Sequence, residues 1–130
     1  MDTKSSKGKE IRIPDPDHPI TISPEPGRVV VRWRGRTIVD TTHALELKEH
    51  VYPVVYYLPR EDADMSVFAR TTQETRCPYK GMANYFTLKS GADVDANAVW
   101  TYETPLSGVE AIKGYLAFYP DKVEITRTAA

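Results

Sequence analysis

The stretch "RVVVRWRGRTIVD", residues 28–40, decides how the chain is read. Its period is two. Val29, Val31 and Trp33 fall on one face of an extended strand, with Arg32 on the other. Arg34-Gly35 then interrupts the pattern where a tight hairpin turn fits, because glycine accepts φ > 0. "RTIVD" resumes it.

The same period runs outward from that hairpin. "ALELKE" sets Leu45 and Leu47 against Glu46 and Lys48. "PVVYYLP", residues 53–59, is β-branched and aromatic throughout and reads as a strand covered on both faces. "YFTLKS" alternates and is followed by the turn "SGAD". "NAVWTYE" alternates Ala98, Trp100 and Tyr102 against Val99 and Thr101. "YLAFY", "PD" and "KVEIT" read as a final hairpin. Helix signals are few. "PREDADMSVFAR", residues 59–70, opens with proline and acids and predicts one short helix or 3₁₀ stretch. "PLSGVEAIKGY" predicts a single turn stopped at Gly114.

These patterns predict a mainly β, single compact antiparallel β domain with one or two short helical turns. Its expected span is 28–127. Residues 1–10 are polar and read as a disordered N-terminal segment. Residues 11–27 read as an extended proline-rich arm, since five of the ten prolines lie in the first 26 positions. Within the arm, "HPITISP" is expected along an edge of the fold.

Composition bounds the function. A chain of 130 residues, 41% hydrophobic and 27% charged, has the make-up of one soluble domain. Its net charge of −1 lacks the basic excess of a nucleic-acid binder. No apolar run nears the ~20 residues that span a bilayer, so no membrane partner is expected. The start "MDTKSSKGKE" has no apolar segment after it, and a cytoplasmic location is the expectation. One cysteine permits no internal disulfide. With His18, His43 and His50 scattered, it also provides no zinc spacing, so neither metal nor cofactor is expected.

Several phrases together resemble a known family: "YYLPRED" at 56–62, "CPYKGMANY" at 77–85, "WTYETP" at 100–105 and "IKGYLAFYPDKV" at 112–123. They are similar to a family of small, mostly bacterial proteins of unknown function with a CPxKGxAxY signature. That family is labelled in places as nucleotidyltransferase-like. The likeness covers about residues 18–125. It implies a mainly β domain similar in topology to the β-tents, without the zinc cysteines that many β-tents carry. The transferase label finds no matching chemistry in the residues. D-x-D occurs at 15–17, 62–64 and 93–95, but no Gly-Ser turn precedes any of the three. Lys80 is followed by Gly-Met rather than by the Asp-Gly pair of covalent adenylyl transfer.

Three groups of residues are candidates for a site. Cys77 is either a thiolate activated by Arg76 or Lys80, or a small buried residue leading into a turn; the second reading is favoured. Lys80 sits where Pro78 and Gly81 make a tight turn. It is either a solvated turn lysine or a clamp, base or nucleophile. Tyr56, Tyr57, Tyr85, Trp100, Tyr102, Tyr115 and Tyr119 are seven of thirteen aromatic residues and form either a tyrosine-rich core or the wall of a pocket. Arg60, Glu61 and Asp62 follow a strand directly, where sites are commonly built. Arg28, Arg32, Arg34 and Arg36 read as a charged edge that resists aggregation.

The resulting expectation is one cleft made by Tyr57, Arg60, Asp62, Cys77, Lys80, Tyr85, Trp100 and Tyr102, holding a small aromatic or anionic ligand. Lys80 is expected to matter more than Cys77 for binding. One alternative is an enzyme using Lys80 or Cys77 in the same pocket. Another is a protein-interaction module working through strand edges. A homodimer is compatible with all three.

Overall fold

A computed structural model describes residues 16–129. The disorder expected for 1–10, and the first part of the arm, lie outside these residues. Ten strands follow in order: β1 (Ile20–Pro24), β2 (Arg28–Trp33), β3 (Arg36–Thr41), β4 (Leu45–Glu49), β5 (Val55–Tyr57), β6 (Phe68–Cys77), β7 (Gly81–Ser90), β8 (Asp93–Thr101), β9 (Leu116–Phe118) and β10 (Glu124–Thr128). They form three antiparallel sheets, with orders β1-β4-β5, β10-β2-β3 and β6-β7-β8-β9. The helical elements among the described residues are 3₁₀ turns at Arg60–Asp62, Met65–Val67 and Glu110–Ile112. The chain is thus a compact, mainly β domain. Among the described residues, no helix is long and apolar enough to cross a membrane.

The hairpin at 28–40 forms as its pattern dictates. Val29, Val31 and Trp33 are buried. Arg34 and Gly35 both adopt positive φ, 51° and 80°, the twist-matched geometry of a two-residue hairpin turn. The hairpin arginines mostly have acidic partners: Arg28 grips Asp40 at 2.6 and 2.8 Å, and Arg36 meets Asp64 at 2.7 Å. The proline-rich stretch contributes β1, an edge strand paired with β4 from Ile20↔Glu49 to Pro24↔Leu45.

Two expectations need correction. "YLAFY" and "KVEIT" are not a hairpin: β9 pairs with β8, and β10 pairs with β2 in another sheet. The free edge of β9 is already taken, because Leu58 and Leu116 exchange both backbone hydrogen bonds at 2.8 Å. The turn around Pro120 instead hands the chain from one sheet to the other. Second, residues 68–70, expected to continue a helix, open β6. This strand is exposed at most positions and therefore carries no apolar alternation.

The four-stranded sheet divides two cores. On one side, Phe86, Leu88, Val99 and Phe118 pack with Val29, Val31, Trp33 and Val39. On the other, Ala83, Tyr85, Tyr102 and Ala117 pack with Leu47, Tyr57, Val109 and Ile112. The alternation is visible within β9, where Leu116 and Phe118 face the first core and Ala117 the second. Likewise Tyr56 packs against the first core and Tyr57 against the second.

Candidate functional site

The second core opens into a cleft of about 210 Å³. Two local structures build it. The first is β4, whose inward face holds Leu45, Leu47 and then Glu49. The period that buries two leucines thus carries a carboxylate to the same face. The second is the turn from β6 to β7, Cys77-Pro78-Tyr79-Lys80-Gly81. Gly81 has φ 109°, and a Cβ there would meet the Leu106 side chain and the Thr104 carbonyl, each at 3.4 Å. Only glycine fits such a backbone. The Lys80 carbonyl accepts a 3.0 Å bond from the Leu106 amide, which pins the turn.

That turn sends Lys80 inward. Its side chain is buried, and its ammonium donates to Glu49 Oε1. His18 Nε2 lies 2.7 Å from the other carboxylate oxygen, Glu49 Oε2. His18 in turn stacks on Tyr79, with ring centroids 3.8 Å apart and planes at 5°. Burial pushes the Glu49 carboxyl up, but the hydrogen bonds from Lys80 and His18 outweigh it and hold the group below its ordinary value. Lysine 80 is therefore neither a solvated turn residue nor a free anion clamp. It is one half of a largely buried ion pair.

Tyrosines and a tryptophan make the walls. Tyr57, 1% exposed, accepts a 3.2 Å hydrogen bond from Trp100 Nε1, and the two rings meet edge to face at 6.5 Å. The Tyr85 hydroxyl sits 2.8 Å from Thr75 Oγ1 and 3.5 Å from the Tyr119 hydroxyl. Trp100 packs on Tyr119 at 4.7 Å. Tyr102 is 5% exposed, and its hydroxyl has no hydrogen-bond partner among the described residues. Burial raises the phenols of Tyr57 and Tyr102 far above their ordinary range, so both stay protonated. The Tyr119 phenol is pushed up to about 12, by burial and then by Tyr85.

Of the eight residues expected to share a cleft, Tyr57, Lys80, Tyr85, Trp100 and Tyr102 line this one. Cys77 is a partly buried free thiol packed against the same core and is not among the residues that line the cleft. Arg60 lies elsewhere. It donates to the Gly114 carbonyl at 2.7 Å, Thr101 Oγ1 at 3.1 Å and Glu103 at 2.8 Å, and it rests on the Phe86 ring. Asp62 also lies elsewhere, accepting from the Thr41 hydroxyl at 2.7 Å. Arg70 and Arg60 together hold the Glu103 carboxyl down at about 2. Sequence reasoning did not single out Glu49 or place His18 beside it. One signal was available for Glu49: it is the third member of the Leu45, Leu47 face, an acid on a strand's apolar side.

A second groove of about 460 Å³ adjoins the cleft and shares Tyr52, Pro53, Val55 and Trp100 with it. Its remaining walls include Phe118, Pro120 and Ile125, and it contains neither the ion pair nor the buried phenols of Tyr57 and Tyr102. Among the described residues, no three His, Cys, Asp or Glu side chains group to hold a metal ion.

The chain belongs to the family described as Domain of unknown function (DUF427), labelled NTP_transf_9, whose model matches residues 21–129. No curated protein matches it.

Proposed function

We propose that this protein binds a small planar ligand in the cleft between β4, β7 and β8. One observation carries the reading: Tyr57, Lys80, Tyr85, Trp100 and Tyr102 are scattered over the sequence yet line one concavity. Such a site, mostly aromatic with a few convergent polar groups, has the make-up of a small-molecule pocket. Its volume suits a ligand of about one ring, below the usual 300–1,000 Å³ of drug-sized sites. The aromatic half of the expected ligand chemistry is favoured over the anionic half, because Glu49 already balances the Lys80 charge.

The same ion pair weighs against an enzyme built on Lys80. A lysine nucleophile or base needs its nitrogen free to face a substrate, and the Lys80 nitrogen is held by Glu49. Cys77 packs against the second core but does not line the cleft.

Native mass spectrometry of the purified protein tests the proposal. The expected result is a retained non-covalent adduct of small mass that Trp100→Ala loses and Cys77→Ser keeps. An adduct that survives Trp100→Ala, or that Cys77→Ser alone removes, would place the ligand elsewhere or make the thiol the functional group.

A further inference from the structure

The floor of the cleft has hydrogen-bond donors left over. Tyr57 accepts from Trp100, but its own hydroxyl proton meets no acceptor among the described residues. The Tyr102 hydroxyl meets neither donor nor acceptor there. Both side chains are at least nine-tenths buried, at 1% and 5% exposure. Lys80 spends one of its three N–H bonds on Glu49. Each Glu49 oxygen already faces a nitrogen, one Lys80 and the other His18. A buried donor without an acceptor is costly, so such donors mark where a partner oxygen belongs.

Resting on the binding reading above, we infer that the ligand is an uncharged aromatic ring bearing a carbonyl oxygen, which accepts from the hydroxyls of Tyr57 and Tyr102. The acceptor follows from the Tyr57 proton and the two unspent N–H bonds of Lys80, and the unpartnered Tyr102 hydroxyl can donate beside them. The absence of charge follows from the neighbours: an anion there would meet Glu49 as well as Lys80, and a cation would meet the Lys80 ammonium that already balances Glu49. The ring follows from Trp100, Tyr85 and Tyr119, which line the cleft, with Trp100 and Tyr119 packed on each other.

The experiment is an amide-resonance titration with four one-ring probes: benzamide, benzoate, benzylamine and toluene. Benzamide is expected to shift the amides of residues 57, 85, 100 and 102 and to bind most tightly. Tyr102→Phe is expected to weaken benzamide roughly three- to tenfold, the range of one hydrogen bond, and to leave toluene unchanged. Tyr102→Phe removes no contact the folded chain makes, so it should fold. Equal binding of toluene and benzamide, or of benzamide to wild type and Tyr102→Phe, overturns the carbonyl inference while leaving a cleft that binds rings. Benzoate binding tenfold more tightly than benzamide overturns the uncharged ligand. If none of the four probes shifts those amides, the binding reading itself fails.

Discussion

The two cores share the same central sheet and differ in what they bury. The first is Val, Leu, Ile and Phe around Trp33, whose single polar atom, Nε1, donates to Asp95 at 2.7 Å. The second holds Tyr57, Tyr85 and Tyr102 and abuts the Lys80–Glu49 pair. Apolar surface stabilises wherever it is buried, at about 25 cal/mol per Å². A buried hydroxyl or charge stabilises only if its partner is in place. The first core is therefore organised for stability. The second accepts groups that a stability optimum would replace, and that is the usual physical mark of a site.

The comparison breaks most visibly in the first core. Trp33 is 2% exposed. Trp33→Ala leaves a cavity and takes the indole donor from Asp95, which keeps only its 3.3 Å contact with Arg34, and should cost about 3–5 kcal/mol in urea denaturation. A loss under about 1 kcal/mol would mean that the first core is not the stability centre.

The ion pair comes next. Lys80→Met leaves the part-buried Glu49 without its ammonium and should cost up to about 3 kcal/mol, the low end for buried pairs, because the carboxylate keeps some solvent and His18 still faces it. Adding Glu49→Leu should return at least half of that loss, since an apolar replacement avoids the desolvation of both charges. If the double variant is no more stable than Lys80→Met, the pair is a net stabiliser and the contrast between the cores weakens.

Acid sharpens the same point. Glu49 and Glu103 both have depressed pKa values in the folded protein. Each contributes stability that is fully present above its ordinary 4.5 and is lost as pH falls through its folded value. For Glu103 the window runs from 4.5 down to about 2. Stability should fall with acid across that window. Glu103→Gln should flatten the fall throughout it, and Glu49→Gln should flatten it below 4.5. Parallel pH curves for wild type and both variants would show that neither carboxylate carries the dependence.

The first core was legible in the sequence because burial there follows a period of two: Val29, Val31 and Trp33 need no partner beyond apolar neighbours. The strands that carry it were readable for the same reason. β6 was not, since an exposed strand pairs by backbone alone and leaves no apolar signature. The destination of β10 was hidden because Leu58, more than fifty residues upstream of it, closes the edge of β9. At the site, aromatic richness pointed to Tyr57, Tyr85, Trp100 and Tyr102. The partner of Lys80 comes from a strand 31 residues away, a pairing that local pattern does not encode. Arg60 lay inside a signature phrase, yet its guanidinium turns toward Glu103 and the 114 carbonyl.

The smallest expected effect separates two tyrosines of the second core. The Tyr85 hydroxyl has a partner in Thr75 at 2.8 Å, whereas the Tyr102 hydroxyl has none among the described residues. Tyr85→Phe deletes a made hydrogen bond and should cost about 1 kcal/mol. Tyr102→Phe deletes only a group whose burial is a cost, so thermal stability should stay within about 0.5 kcal/mol of wild type or rise. Both variants keep the ring and its packing, so shape cancels and only the oxygen is compared. Melting curves of the two, measured side by side without ligand, make the test. If Tyr102→Phe loses as much as Tyr85→Phe, the Tyr102 oxygen is already satisfied in the folded protein. The second core is then as complete as the first, and the donor surplus that points to a ligand disappears with the difference.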